Sequence, residues 1–237
     1  MYLKKTILIT GSSRGIGFEV ACYFLKNNAI VIGLSKGDST IDNANYYHYS
    51  IDLSKPEKII DLFKEITKHF KKIDIVINNA AVLTSQYSMI LPLKNAIDMV
   101  NVNLLAVFLI SRESAKLMRK NSYGRIINIS SMAASLEPAG DSLYAACKAG
   151  INSLANVMAK EFSTLNITCN TLAITAFESD MLKQHSSTAQ VKIKEIIKNL
   201  PIPRIAEKDD ILNVIDFFSS ERSSYITAQI IYLGGIN

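Results

Sequence analysis

Tyr144 and Lys148 stand four residues apart in the segment Tyr-Ala-Ala-Cys-Lys, thirteen residues downstream of Ser131. On a helix this spacing stacks a phenol and an ammonium on one face. The cation then favours the phenolate and makes Tyr144 a usable proton donor near neutral pH, where an isolated tyrosine, with a pKa of ~10, is not. Hydride arriving on a carbonyl carbon leaves negative charge on its oxygen, which needs a donor in place and a proton soon after. The pattern is that of carbonyl reduction. Each residue alone also has a plain structural explanation: Ser131 as a helix cap, Tyr144 as a core aromatic, Lys148 as a surface charge.

Such chemistry needs a hydride source, and a second motif supplies a place for one. Thr10-Gly11-Ser12-Ser13-Arg14-Gly15-Ile16-Gly17 follows a β-branched run and opens a helix. Glycines Gly11, Gly15 and Gly17 let the backbone turn tightly, approach a pyrophosphate closely and seat the helix on a sheet. The helix N-terminus, with Ser13, Arg14 and Ile16 around it, then faces the phosphates with unpaired amides. After the second strand stand Leu34, Ser35 and Lys36, with no acid at the first two. A carboxylate there would bind the free 2′-hydroxyl of NAD, whereas a cation suits the 2′-phosphate of NADP; Ser35, Lys36 and Arg14 favour NADP(H) over NAD(H). Asp52 and Leu53 are placed at the adenine edge, and the turn Asn78-Asn79-Ala80-Ala81 under the adenine ribose.

The elements that must carry these groups alternate along the chain. Short β-branched runs at Lys5 to Thr10, Ile30 to Leu34, Tyr46 to Ser50, Ile73 to Asn78, Arg125 to Ile129, Ile167 to Leu172 and Ile230 to Leu233 read as strands. Several are almost continuously apolar, as strands buried on both faces must be. Amphipathic stretches between them predict helices from Pro56 to about Phe70, roughly Asn95 to Lys120, and Leu143 to Phe162. Alternation of this kind predicts an α/β fold, a doubly wound parallel seven-stranded sheet with helices on both faces. The two longer helices carry apolar residues on more than one face, so a neighbouring subunit is expected against them. The polar stretch from Phe177 to about Pro203, closed by Pro-Ile-Pro, reads as a substrate lid.

With 237 residues and 49% hydrophobic content, residues 1–237 read as one domain. A formal charge of +5, spread over 26 Lys and Arg against 21 acids without a basic block, argues against nucleic acid as a partner. Cys22, Cys147 and Cys169 form no Cys-x-x-Cys pair, and the three histidines show no ligand spacing, so no metal is expected and a reduced cytoplasmic setting fits. The first apolar run stops at Gly11, too short for a signal peptide, and no uncharged apolar stretch approaches the ~20 residues that would cross a membrane.

Taken together, the Thr-Gly-x-x-x-Gly-x-Gly turn, Asn-Asn-Ala, an Asn in the long central helix, a Ser after strand five and Tyr-x-x-x-Lys resemble the short-chain dehydrogenase/reductase family, from Thr6 to Gly235. The spacing within the set is most similar to that of bacterial 3-oxoacyl thioester reductases. The resemblance implies a single-domain NAD(P)-binding Rossmann fold. It further implies that Ser131, not Ser130, holds the substrate carbonyl oxygen, that Tyr144 exchanges the proton, that Lys148 binds the nicotinamide ribose and lowers the tyrosine pKa, and that Asn103 supports a relay water. Ile174 and Phe177 fall at the nicotinamide end. The partner implied is a small carbonyl or alcohol substrate, free or carrier-linked, and the assembly a homotetramer or homodimer.

Departures from the pattern bear on function. Pro-Gly is missing after strand six, where the chain reads Leu172-Ala173-Ile174-Thr175-Ala176-Phe177, and Ala81 and Ala228 replace glycines. Ser122 and Leu165 occupy the places where basic residues dock an acidic carrier, with Arg119, Lys120 and Lys160 nearby. Besides reduction of a 3-oxoacyl thioester, the sequence is compatible with oxidation or reduction of a sugar or secondary-metabolite intermediate, and with a catalytically silent NADP(H)-binding protein.

Overall fold

A computed structural model describes residues 2–175, 177 and 197–235. Seven parallel strands form one sheet in the order β3-β2-β1-β4-β5-β6-β7. They are β1 (Thr6–Thr10), β2 (Ile30–Ser35), β3 (Tyr46–Ser50), β4 (Ile75–Asn78), β5 (Gly124–Ser131), β6 (Ile167–Ile174) and β7 (Ile230–Tyr232). The chain runs outward from β1 to β3, then returns past β1 to lay β4 on its other side. Loops after β1 and β4 therefore part at the middle of the sheet, at the carboxyl ends of the strands, which is where doubly wound folds bind ligands.

Alternating strand residues feed two cores, as the two-residue period of a strand requires. Ile7, Ile9, Val31, Ile75, Ile77 and Ile127 face α1 (Gly15–Lys26) and the last helix. Leu8, Ile32, Leu34, Val76 and Ile126 face α2 (Pro56–His69) and the long central helices. Every residue of β1, β4 and β6 is buried, the burial expected of parallel strands covered on both sides.

The central helical stretch begins as α3 (Leu93–Val100), widens to a π-helical turn over Asn101–Leu105 and continues as α4 (Ala106–Lys120). By length and composition this stretch could cross a membrane. Here it is a core helix, laying Met99, Val102, Ala106, Val107 and Ile110 inward. A short α5 (Ala133–Leu136) follows β5, and α6 (Ser142–Glu161) packs across β5 and β6. The helix α7 (Lys208–Ser219), closed at its start by a reciprocal Glu207–Asp210 capping box, was not singled out from the sequence.

Strand predictions agree with the structure to within two residues at every end, and two of the differences bear on function. Strands β5 and β6 each run two residues further than their apolar cores suggest, to Ser131 and Ile174, which pair in register. The sheet thus carries Ser131 itself. Of the predicted lid, 178–196 lies outside the described residues. At its near end Phe177 bridges to Ala206. At its far end, Leu200 and Pro201 pack against Gly234 and Gly235, whose φ angles of +78° and +84° admit glycine readily.

Between β2 and β3 there is no helix. Parallel neighbours ordinarily need a longer crossover, usually helical; here residues 36–45 make the return as an irregular loop, with Ile41 folded onto the α1-side core.

Candidate active site

The glycine turn has the shape its sequence implies. Gly11 and Gly15 adopt φ of +69° and +57°. A Cβ on Gly17 would overlap the Gly11 carbonyl, so the first turn of α1 sits directly on the loop. Over Gly15, by contrast, nothing lies within 4 Å of the Cβ position. No side chain caps α1 and no acid occupies its first turn, so its leading amides and positive dipole end face the crevice. This open cradle of amides fits a nucleotide pyrophosphate.

Asn79 fixes the cradle from the β4 side. Its side-chain amide donates to the carbonyls of Thr10 at 2.9 Å and Gly11 at 3.4 Å, while the backbone amides of Asn79 and Ala80 both donate to Thr10 Oγ1 at 2.9 Å. The two loops that part at the middle of the sheet are thereby one unit. Asn79 thus holds the turn through its side-chain amide.

At the far edge of the cradle Ser35 is buried and its hydroxyl donates to the Gly37 carbonyl at 2.9 Å. Lys36 Nζ lies 2.9 Å from Asp52 Oδ2. That ammonium, with the Ser54 hydroxyl and amide, holds the Asp52 carboxyl down to about 2. Lys36 therefore faces an anion already, while Arg14 stands exposed in the turn and Leu53 is buried in the core.

The chemistry-bearing residues gather where β5 meets α6. Helix α6 contains Tyr144 and Lys148, one turn apart as predicted. Lys148 is 2% exposed, and its Nζ donates to the Ile129 carbonyl at 2.8 Å and lies 5.6 Å from the centre of the Tyr144 ring. Burial pulls the ammonium down to about 8. Tyr144 is half-buried. Desolvation pushes its phenol up to about 12; the Ser131 hydroxyl opposes this and Asp141 adds to it. The expectation that Lys148 lowers the Tyr144 pKa is therefore not what dominates in this structure. Removal of the phenolate from water outweighs the other influences, and the lysine is anchored to a backbone carbonyl.

The two serines at the end of β5 divide. Ser130 Oγ donates to the Lys148 carbonyl at 3.1 Å, inside α6. Ser131 Oγ accepts from the Ala133 amide at 3.1 Å and stands on the Tyr144 side. Asn103 is wholly buried, and both ends of its amide grip Val82: Oδ1 accepts from the Val82 amide at 2.9 Å and Nδ2 donates to its carbonyl at 2.8 Å. It sits in the π-helical turn, where the Ala106 amide reaches back to the Asn101 carbonyl. Such turns recur at functional sites because they displace backbone groups from the regular ladder. Gly150 of α6 lets Leu104 of that turn approach closely.

At the remaining positions, Ile174 is buried beside Ser131, and the Met132 amide donates to its carbonyl at 2.9 Å. Phe177 lines a shallow groove with Ile16, Val20, Ile211 and Leu212, at the outer flank of the glycine turn. The Ile129 carbonyl, the Val82 backbone and Asp141 escaped the sequence reading. Backbone acceptors leave no mark in a sequence, and Asp141 would have been found only by asking what acid lies one turn ahead of Tyr144. One Asp141 oxygen is buried without a hydrogen-bond partner among the described residues.

The profile described as short chain dehydrogenase matches residues 5–190 of this chain. The 3-oxoacyl-[acyl-carrier-protein] reductase FabG of Buchnera aphidicola subsp. Schizaphis graminum is 31% identical over 238 residues, covering 98% of this chain and 96% of that protein. The enzyme of the same name from Vibrio cholerae is 30% identical with the same coverage. Among solved structures, 4-hydroxyisoleucine dehydrogenase complexed with NADH superposes with a TM-score of 0.91 at 26% identity, over 99% of both chains. The ligand-free aldohexose dehydrogenase of Thermoplasma acidophilum superposes with a TM-score of 0.88 at 24% identity, over 99% of this chain and 94% of that one, a likeness of fold.

Proposed function

The chain belongs to the short chain dehydrogenase family, and from that premise we propose that this oxidoreductase reduces a ketone, of the 3-oxoacyl thioester kind, to a secondary alcohol at the expense of NADPH. The observation that carries the reading is the meeting of Ser131, Tyr144 and Lys148 at the carboxyl end of β5, on the crevice that the glycine turn opens.

The bound nicotinamide supplies hydride to the carbonyl carbon. Ser131 and Tyr144 hold the carbonyl oxygen with their hydroxyls, and Tyr144 releases its proton as charge develops there. With its pKa up at about 12, Tyr144 rests as the phenol, the form that donates a proton when a ketone is reduced. Lys148, charged below about 8, faces the phenolate left behind and steadies it. Asn103 has its side chain committed to Val82, so its part is to hold the loop after β4 and, through the π-helical turn, to offer backbone to a relay water.

Preference for NADPH over NADH is supported by the absence of an acid at Leu34 and Ser35 and by Arg14 in the turn; Lys36 would serve a 2′-phosphate only by leaving Asp52. Carrier-linked substrate is supported by the enzymes of like sequence and by three exposed cations. Arg119 and Lys120 end α4 and Lys160 nears the end of α6, and the Asn166 amide joins those ends by donating to the Ser122 carbonyl at 2.9 Å. A sugar or other hydroxylated substrate is the second reading, favoured by the unpartnered Asp141 oxygen one turn before Tyr144. We place the enzyme in the cytoplasm, as a homotetramer or homodimer assembled through the outward faces of α4 and α6.

The test is a panel of ketones, oxoacyl thioesters and keto-sugars followed by NADPH absorbance, beside NADH. The wild type is expected to turn over at least one class, faster with NADPH. The Tyr144→Phe variant is expected to bind NADPH as tightly and lose turnover by about a hundredfold or more. Wild type that binds NADPH yet reduces nothing on the panel would move the silent binding protein ahead.

A further inference from the structure

The return loop 36–45 carries no helix, so the α1-side face of the edge strand is built differently from the rest of the sheet. Tyr46 and His48 occupy it, both half-buried, with their rings stacked at 22° and 6.2 Å between centres. Their neighbour in β2 is Gly33, paired with His48. A side chain on Gly33 would overlap the Tyr46 hydroxyl and the Ser12 hydroxyl at once. The tyrosine uses that gap to cross β2, and its hydroxyl shares a 3.0 Å hydrogen bond with Ser12. It also lies 3.4 Å from His48 Nδ1.

Ser12 is the second residue of the glycine turn and is wholly buried, whereas Ser13, Arg14 and Gly15 after it are half-buried or exposed. Asn79 and Thr10 tie the turn down on the β4 side. On the β2 side the Gly11 amide donates to the Leu34 carbonyl at 2.7 Å, and among the described residues the side-chain tie is the Ser12 hydroxyl on Tyr46. We propose that Tyr46 is a positioning residue for the cofactor: through Ser12 it fixes the backbone of the glycine turn in the conformation that receives the pyrophosphate. The effect belongs to the part common to both nicotinamide nucleotides, so it does not discriminate between them, and it lies far from the reacting groups, so it does not touch the chemical step. The inference rests on the reading that this turn holds the cofactor.

The experiment uses Tyr46→Phe, which keeps the ring over Gly33 and removes only the hydroxyl, together with Ser12→Ala and the double variant. Binding of NADPH and of NADH is measured by fluorescence titration, beside kcat at saturating NADPH and thermal unfolding. Both single variants are expected to raise Kd about fivefold, the usual weight of one hydrogen bond, and by the same factor for the two nucleotides, with kcat within about twofold of wild type. The double variant is expected to be no weaker than either single one, because both changes break the same tie. A folded Tyr46→Phe protein with unchanged Kd overturns the inference, as do losses that add in the double variant or a fall in kcat at constant Kd. If Tyr46→Phe unfolds, Ser12→Ala alone decides by the same split between Kd and kcat. Wild type that binds neither nucleotide removes the cofactor reading and the inference with it; wild type that binds both while the variants bind equally well removes the inference alone.

Discussion

Lys148 is asked to be two things at once, a charge for the chemistry and a side chain wholly inside the protein. Its pKa falls from 10.5 to about 8 on burial. Between those values the unfolded chain binds the proton and the folded chain does not, so this group's contribution to stability rises with pH across the window. Its part in the proposed reaction would run the other way, since the charged form is lost as pH climbs through about 8. Wild-type kcat for reduction is therefore expected to decline above about pH 8. Lys148→Met is expected to lose turnover by at least about tenfold while melting no lower than wild type at pH 7, and to lack the Lys148 share of the stability gained on the alkaline side. Melting curves and pH-rate profiles of the two proteins check both signs; a large fall in Tm at pH 7 would mean that the Ile129 hydrogen bond outweighs the cost of the buried charge. The spacing of Tyr144 and Lys148 could be read from the sequence because a helix converts four residues into one turn. That burial governs their protonation could not, because it is set by strands and loops remote along the chain.

Among the elements, the strands were legible since each is a short β-branched run buried on both faces, and the ends of β5 and β6 were missed since Ser130, Ser131, Ala173 and Ile174 have no run of branched residues to extend. The glycine turn was read correctly as a tight backbone feature. Its dependence on Asn79 was not, for an Asn after a strand is common in any turn. Gly17 offers the sharpest test of the element: Gly17→Ala forces a methyl group into the Gly11 carbonyl. It is expected to destabilise the protein by about 1–3 kcal/mol and to weaken nucleotide binding, read by chemical denaturation and NADPH titration. Gly37→Ala, with nothing within 4 Å of its Cβ position, is the control expected to leave both unchanged.

Among the described residues the sheet is mostly apolar, with Asn128, Asn170 and Thr171 buried in the middle of β5 and β6. Opposite the catalytic end, Arg125 is 1% exposed, donates to the Gly124 carbonyl at 2.9 Å and stacks 4.6 Å over Tyr123, a burial that its place at the start of a strand gave no reason to expect. Leu105 at the end of the π-helical turn, Phe108 of α4 and Val157 of α6 are each more than a third exposed, and the proposed subunit contacts would fall there. Phe108→Glu is expected to reduce the assembly to a smaller species by light scattering on a sizing column, with the secondary structure intact by circular dichroism. At the β3 edge, the return that lacks a helix holds residues 36–45 by two strand ends, the Lys36–Asp52 pair and the apolar contact of Ile41. Segments of other lengths and sequences could be transplanted there provided that an apolar side chain keeps the place of Ile41, which makes this corner the natural place to re-engineer which nucleotide the enzyme prefers.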